Sequence, residues 1–278
     1  MEFTYYPNNT FKKSVEEYFS LVVNPILNIS FDDYKTILKY IKQDIQIKEQ
    51  ITDIDYLKYF CPDKVKLRIK YLTNGYEKYF RKECLFLTGI DLPIWFKGKG
   101  RNKNIMILAQ DPLRSLKSVT NSNIDPYDHI TLWTPFSYQV INKNRENTPR
   151  EKHYWDIINH IGDMSRNIYV TDIRKIWFSG WENHTEINFD KIYSEIFKNE
   201  VELFDPDYII CFGRDAEKAA VKIKRCFDFR FNTIYLIHPS NRASSGRDSF
   251  FVDKHGIRTF RNDNLIESYK IVINRSLK

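Results

Sequence analysis

From Asn104 onward the chain alternates short apolar runs with longer stretches of helical periodicity, and this alternation limits its possible folds more than any other feature. Strands are predicted at Ile105–Ala109, Ile168–Thr171, Tyr208–Phe212 and Thr233–Ile237. Helices are predicted between them at Arg150–Ile161, Phe189–Phe204 and Asp215–Cys226, with Ala216, Ala219, Ala220 and Ile223 giving the last an inward face. A final helix is predicted at Asn264–Leu277. Strands joined through helices return parallel to one another, and a parallel sheet needs cover on both faces. The pattern therefore predicts an α/β fold over residues 101–278: a three-layer α/β/α sandwich on a small parallel sheet of about four strands.

Residues 1–100 carry a different pattern. Phe11–Val23, Phe31–Ile51 and Val65–Leu87 show apolar residues at three- and four-residue spacing, and Tyr34, Ile37, Leu38, Ile41 and Ile45 form one stripe. A mainly helical N-terminal extension is expected. The basic stretch Lys97-Gly98-Lys99-Gly100-Arg101-Asn102-Lys103 then leads into the first core strand. Most such runs are solvated surface, and that is the reading adopted for this one.

An apolar fraction of 42% in 278 residues, with 20 Phe and 18 Tyr, suffices for a packed core, and 9 Gly with 10 Pro argue against a fibrous or disordered chain. The net charge of +7 suits a polyanionic partner, although a Lys- and Asn-rich chain carries such charge without needing one. Cys61, Cys84, Cys211 and Cys226 are too widely spaced for a zinc or iron–sulfur site, so no metal is expected. Cys211 lies within an apolar run and reads as a small buried hydrophobe. With no signal-like start and no bilayer-length apolar run, a soluble cytoplasmic protein with reduced thiols and no membrane association is expected. A monomer without cofactor is expected. Neither phosphate-cradling glycine motif is present, nor is a nucleophile elbow, which weakens nucleotide-dependent and serine-hydrolase chemistry.

Two strand ends carry reactive groups. Gln110-Asp111-Pro112 follows the first predicted core strand, and His238-Pro239-Ser240 follows the last. Ligands of open parallel sheets bind at the carboxyl edge, where both strings fall. Each proline constrains the direction of its neighbour. Taken singly, a strand-end Asp is as often a cap and a lone His as often structural; the functional reading is favoured only together with the further strings that follow.

At these residues the chain resembles the uracil-DNA glycosylase superfamily, which carries G-Q-D-P-Y-H after its first core strand and H-P-S-P after its last. Here the corresponding strings are Ala109-Gln110-Asp111-Pro112-Leu113-Arg114 and His238-Pro239-Ser240-Asn241-Arg242. Pro135-Phe136-Ser137 resembles the segment whose Phe stacks on the flipped base. Tyr169-Val170-Thr171-Asp172 resembles the strand end that presents an Asn to the base edge, and Ile209–Arg214 the apolar strand ending in Gly-Lys or Gly-Arg. The order agrees over residues 104 to about 252.

The resemblance implies a DNA base-excision glycosylase acting on double- or single-stranded DNA. Asp111 and His238 would be catalytic, Asp111 stabilising positive charge on the sugar and orienting water, His238 donating to the departing base. Gln110, Leu113, Phe136 and Asp172 would bind the extruded base. Arg114, Ser137, Ser240 and Arg242 would contact DNA, with Arg242 resembling the single-strand-selective branch. Three departures bear on substrate: Leu113 stands for Tyr, Arg114 for His and Asp172 for Asn. An ionised Asp only accepts hydrogen bonds, which suits an exocyclic amino group and opposes the O4 of uracil. Altered or lost uracil specificity is therefore expected, unless Asp172 is protonated or only caps the turn that follows. Two other readings stay open: a catalytically silent member of the fold that binds nucleic acid or a partner, and an unrelated small-molecule hydrolase.

Overall fold

The computed structural model describes residues 2–3, 14–27, 30–32, 34–35, 86–110, 131–133, 135–137, 149–179, 190–257 and 264–278. Nine strands lie among them: β1 (Glu2–Phe3), β2 (Phe86–Asp91), β3 (Ile94–Lys97), β4 (Asn104–Ala109), β5 (Thr131–Trp133), β6 (Asn167–Asp172), β7 (Ile176–Ser179), β8 (Tyr208–Phe212) and β9 (Asn232–Leu236). The main helices are α1 (successive segments Val15–Tyr18, Phe19–Val23 and Asn24–Leu27), α2 (Pro149–Met164), α3 (Asp190–Phe204), α4 (Arg214–Phe227) and α5 (Leu265–Ser276).

The protein is mixed α/β. Its larger sheet has the order β1-β3-β6-β4-β8-β9, and β6, β4, β8 and β9 run parallel. These are the four strands expected from the apolar runs. The expected count nevertheless needs correction. β3 joins antiparallel to β6, giving five strands, and the two-residue β1 adds to its outer edge. Ile94, Trp95 and Phe96 of β3 are all buried, so this short strand has no alternation by which to be recognised. A second sheet, β5-β2-β7, was not anticipated.

The helical expectation for residues 1–100 also changes. Helix occurs within Val15–Leu27 and at residues 31–32 and 34–35, but Phe86 and Leu87 belong to β2 rather than to a helix. Pairing of β2 with β5 and β7 supplies backbone partners that outweigh the weak helical spacing of that stretch. Ile37, Leu38, Ile41 and Ile45, with Cys61 and Cys84, lie outside the described residues. α1 starts at a capping box: Ser14 Oγ accepts from Glu17 N–H at 3.3 Å, and Glu17 Oε2 accepts from Ser14 N–H at 3.1 Å.

Helices pack on both faces of the larger sheet. Alternate positions Ile105, Ile107, Ile168, Val170, Ile210 and Phe212 join Trp155, Ile158 and Ile161 of α2 and Tyr269, Val272 and Ile273 of α5 in one apolar core. The intervening positions face α1 and α3; Tyr169 contacts Tyr18 and Phe204 there. Every residue of β4 is buried, as a central parallel strand covered on both sides requires. Each fully buried Ile or Phe stabilises the fold by roughly 1.5–3 kcal/mol.

The basic stretch before β4 keeps its charged side chains at the surface, as expected, while its backbone is joined to the end of α2. Gly98 and Gly100 N–H donate to the carbonyls of Arg166 and Ser165, and Lys99 N–H to that of Gly162. A Cβ on Gly98 would lie 2.0 Å from the Ser165 carbonyl oxygen, and one on Gly100 2.3 Å from that of Met164. Only glycine permits this approach to the end of α2. Lys99 pairs with Asp163 at 2.8 Å, and Lys103 donates to the Leu277 carbonyl.

Candidate active site

The carboxyl ends of the parallel strands carry Gln110, Asp172 and His238. Asp172 closes β6, pairs in register with Ala109 and is only 4% exposed. Along the strand it falls in phase with Ile168 and Val170, on the sheet face that packs against Phe136 and α2. Asp111, Leu113 and Arg114 lie outside the described residues. Ser137, Asn241 and Arg242 are placed by their backbones alone, Ser137 in the short turn Pro135–Ser137 and the other two in the 3₁₀ stretch Asn241–Gly246.

His238 and Phe136 meet across a residue that the sequence did not single out. Tyr154 of α2 lies between them, its ring centroid 4.9 Å from that of Phe136 and 5.5 Å from that of His238. Phe136 also meets Phe212 edge-on at 5.5 Å, and its carbonyl accepts from Trp155 Nε1 at 3.0 Å. Its backbone has φ 54° and ψ 26°, a left-handed conformation costing about 1–2 kcal/mol for a side chain of this kind. Neighbouring structure therefore holds a half-buried aromatic ring in a strained position at the sheet edge.

The imidazole of His238 is fixed on one side. Nδ1 receives the Ser240 N–H at 3.3 Å, and the hydroxyls of Ser240 and Tyr154 lie 2.9 and 3.4 Å away. A backbone N–H can only donate, so Nδ1 is the acceptor and the proton of the neutral ring sits on Nε2. Burial, and secondarily the Arg247 guanidinium, lower its pKa to about 4. At neutral pH His238 is thus an uncharged ring with a donor at Nε2.

The turn carrying it is held from outside. Tyr269 of α5 donates to the Ile237 carbonyl at 2.5 Å. Arg247, buried, donates through Nη2 to the carbonyls of Pro239 at 2.8 Å and Ser240 at 3.0 Å.

A different support underlies Asp172. Lys175 Nζ donates to the Asp172 carbonyl at 2.7 Å and to Thr171 Oγ1 at 2.9 Å, and pairs with Glu200 at 2.9 Å. Tyr169 and Thr171 hydroxyls donate to the other Glu200 oxygen at 2.7 and 2.8 Å, and Tyr18 of α1 lies 2.9 Å from Tyr169 Oη. Burial raises both tyrosine pKa values well above the ordinary range, so both hydroxyls keep their protons. Lys175 and Glu200 side chains are 1% and 0% exposed.

The structure thus brings Phe136 and His238 around Tyr154, and places Asp172 at the end of β6, separated from β9 by β4 and β8, on the same face as Phe136. Gln110 stands apart from that group: it lines a cavity of about 250 Å³ between α3 and α4, with Arg174, Ser194, Asp215 and Lys218. Cys211 is buried in β8, where burial pushes its thiol well above the usual range. Among the described residues no His, Cys, Asp and Glu cluster could hold a metal ion, and no helix is long and apolar enough to cross a membrane.

Sequence reasoning missed Tyr154, Lys175, Glu200, Arg247 and Tyr269. Each is an ordinary residue within a helix or turn, and only Lys175 stands close to a motif. Comparison with known protein families and with curated protein sequences finds no match to this chain.

Proposed function

We propose that this protein is a metal-free DNA glycosylase that hydrolyses the N-glycosidic bond of an extruded uracil or other modified base. What most supports this reading is His238: a neutral ring whose Nδ1 is occupied by the Ser240 N–H, leaving Nε2–H as a donor at the strand edge beside a strained aromatic residue. Cleavage of a glycosidic bond leaves negative charge on an oxygen of the departing base, and a fixed neutral donor stabilises that charge as it develops. The ring of Phe136 would stack on the extruded base, the buried Asp172 would read its edge, and Asp111 would stabilise the sugar cation and direct water to it. The products are a free base and an abasic sugar. Water supplies hydroxyl to the sugar and a proton to the base.

In full, this reading takes the α/β region as a three-layer α/β/α sandwich of uracil-DNA glycosylase type, preceded by the N-terminal extension. Ser137, Ser240, Arg242 and Arg114 would contact the DNA, and the net charge of +7 suits that partner. In its ionised form the buried carboxyl of Asp172 would favour a base bearing an exocyclic amino group. It is also the observation that favours the second reading, a catalytically silent nucleic-acid-binding protein.

The test incubates the protein with oligonucleotides carrying uracil, hypoxanthine, mismatched thymine, cytosine or 5-substituted pyrimidines, and reveals abasic sites with alkali. Strand cleavage lost in Asp111→Asn and His238→Gln is expected. Absence of abasic sites on every substrate, with salt-sensitive DNA binding retained, would establish the silent binder instead. Asp172→Asn should shift excision toward uracil.

A further inference from the structure

We infer that Arg247 is a positioning residue for His238, its guanidinium holding the Ile237–Ser240 turn so that the imidazole keeps a single tautomer and orientation. The assignment rests on the reading of His238 as donor to the departing base. Its geometry, however, is independent of any substrate.

The two hydrogens of Arg247 Nη2 are each used, one on the Pro239 carbonyl at 2.8 Å and one on the Ser240 carbonyl at 3.0 Å. Ser240 is the residue whose N–H and hydroxyl meet His238 Nδ1, so the guanidinium grips the group that sets the tautomer. Arg247 caps the 3₁₀ stretch Asn241–Gly246, which lies against the strand end: a Cβ on Gly246 would meet Ile237 Cδ1 at 3.1 Å. Arg247 is itself 5% exposed, so its position is fixed by packing as well as by hydrogen bonds.

A second effect follows from charge. Among the described residues, the groups facing the His238 ring are Tyr154 from α2, Ser240 from its own turn and Arg247. Only the last carries a charge among these, and a fixed positive charge disfavours an imidazolium beside it. Position and charge are separable by substitution. Lysine keeps the charge but, as a flexible point donor, cannot reproduce the planar fork; methionine removes both.

The experiment is nitrogen-15 NMR of the histidine rings across a pH titration, on the full chain and on Arg247→Lys and Arg247→Met. In the unaltered protein His238 should hold the Nε2–H tautomer at neutral pH and titrate with a midpoint of about 4. Arg247→Met should move the midpoint upward and mix the tautomers. Arg247→Lys should keep a low midpoint while losing the single tautomer. On whichever oligonucleotide the unaltered protein cleaves, Arg247→Lys should lower kcat on the order of 100-fold with KM little changed. Folded variants whose His238 tautomer and midpoint match the unaltered protein would overturn the assignment. Should Arg247→Met not fold, the tautomer in Arg247→Lys decides alone. If the unaltered protein releases no base, the glycosylase reading falls, and the NMR titration still decides the role of Arg247.

Discussion

At the end of β6, Asp172 rests on a buried ion pair between Lys175 and Glu200; at the end of β9, His238 rests on hydrogen bonds to carbonyls from Arg247 and Tyr269. The first support is a closed network that also recruits Tyr169 and, through it, Tyr18 of α1. The second comes from separate elements: α2 and α5 each touch one polar group of the turn, and Arg247 in the stretch after β9 touches two. Their energetics differ accordingly. Two buried charges hold one another, so removing either strands the other in a medium that solvates it poorly. Carbonyls that lose a donor are only dipoles, and their loss is smaller and more local. The β6 end is therefore rigid through a strong, brittle contact, and the β9 end through several weaker ones.

Breaking the ion pair should have the largest effect. Lys175→Met is expected to destabilise the protein by about 3–5 kcal/mol in urea denaturation, because Glu200 stays buried without its cation. Replacing both, Lys175→Met with Glu200→Leu, should recover much of that loss. A single variant as stable as the unaltered chain would show that the network does not carry the β6 end.

Acid should act next, and at the other end. His238 has a folded pKa of about 4 against an ordinary 6.5, so between these values the unfolded chain binds more protons. The stability tied to its neutral form is complete above pH 6.5 and falls as pH drops toward 4, by roughly 3 kcal/mol in all. His238→Gln should flatten that part of the stability–pH curve. Equal slopes in the two proteins would mean that the ring is not held neutral.

Single hydrogen bonds at the β9 end should matter less. Tyr269→Phe leaves the Ile237 carbonyl without its tyrosine donor at a buried position, for a loss of about 1–3 kcal/mol by denaturation. Tyr154→Phe removes a contact of 3.4 Å and keeps the ring stacked by Phe136, so a change of about 0.5 kcal/mol is expected. An order reversed between these two would place the main anchor of the turn on α2 rather than α5.

Much of this layout was readable from residues alone, for stated reasons. β4, β8 and the helices α2 to α5 announce themselves because burial on one or two faces imposes a period on the side chains. The end of β9 brings forward His238 because a strand that stops at a polar residue delivers it to the carboxyl edge; Asp111, read in the same way after β4, lies outside the described residues, and Asp172 at the end of β6 came forward only through the family resemblance. β3 was not readable, since Ile94, Trp95 and Phe96 are buried on both sides of a three-residue run. Nor was β2, whose pairing with β5 and β7 joins segments far apart in the chain. The basic run Lys97–Lys103 is surface, as its composition suggests, but that Gly98 and Gly100 are the places where the chain touches the end of α2 was not readable.

The supports of the site were out of reach for a further reason. Lys175 and Glu200 are 25 residues apart, Tyr154 and His238 are 84 apart, and no periodicity links such pairs. By itself the sequence determined the parallel α/β core, because local burial patterns are written along the chain. It also determined that an imidazole stands past the end of β9, because strand direction places it there. Tertiary structure alone decided that His238 is neutral with its proton on Nε2, since that state depends on burial, on Arg247 and on the Ser240 N–H. It alone decided that an ion pair lies beneath Asp172, since a charge can be buried only where a partner from elsewhere in the chain meets it.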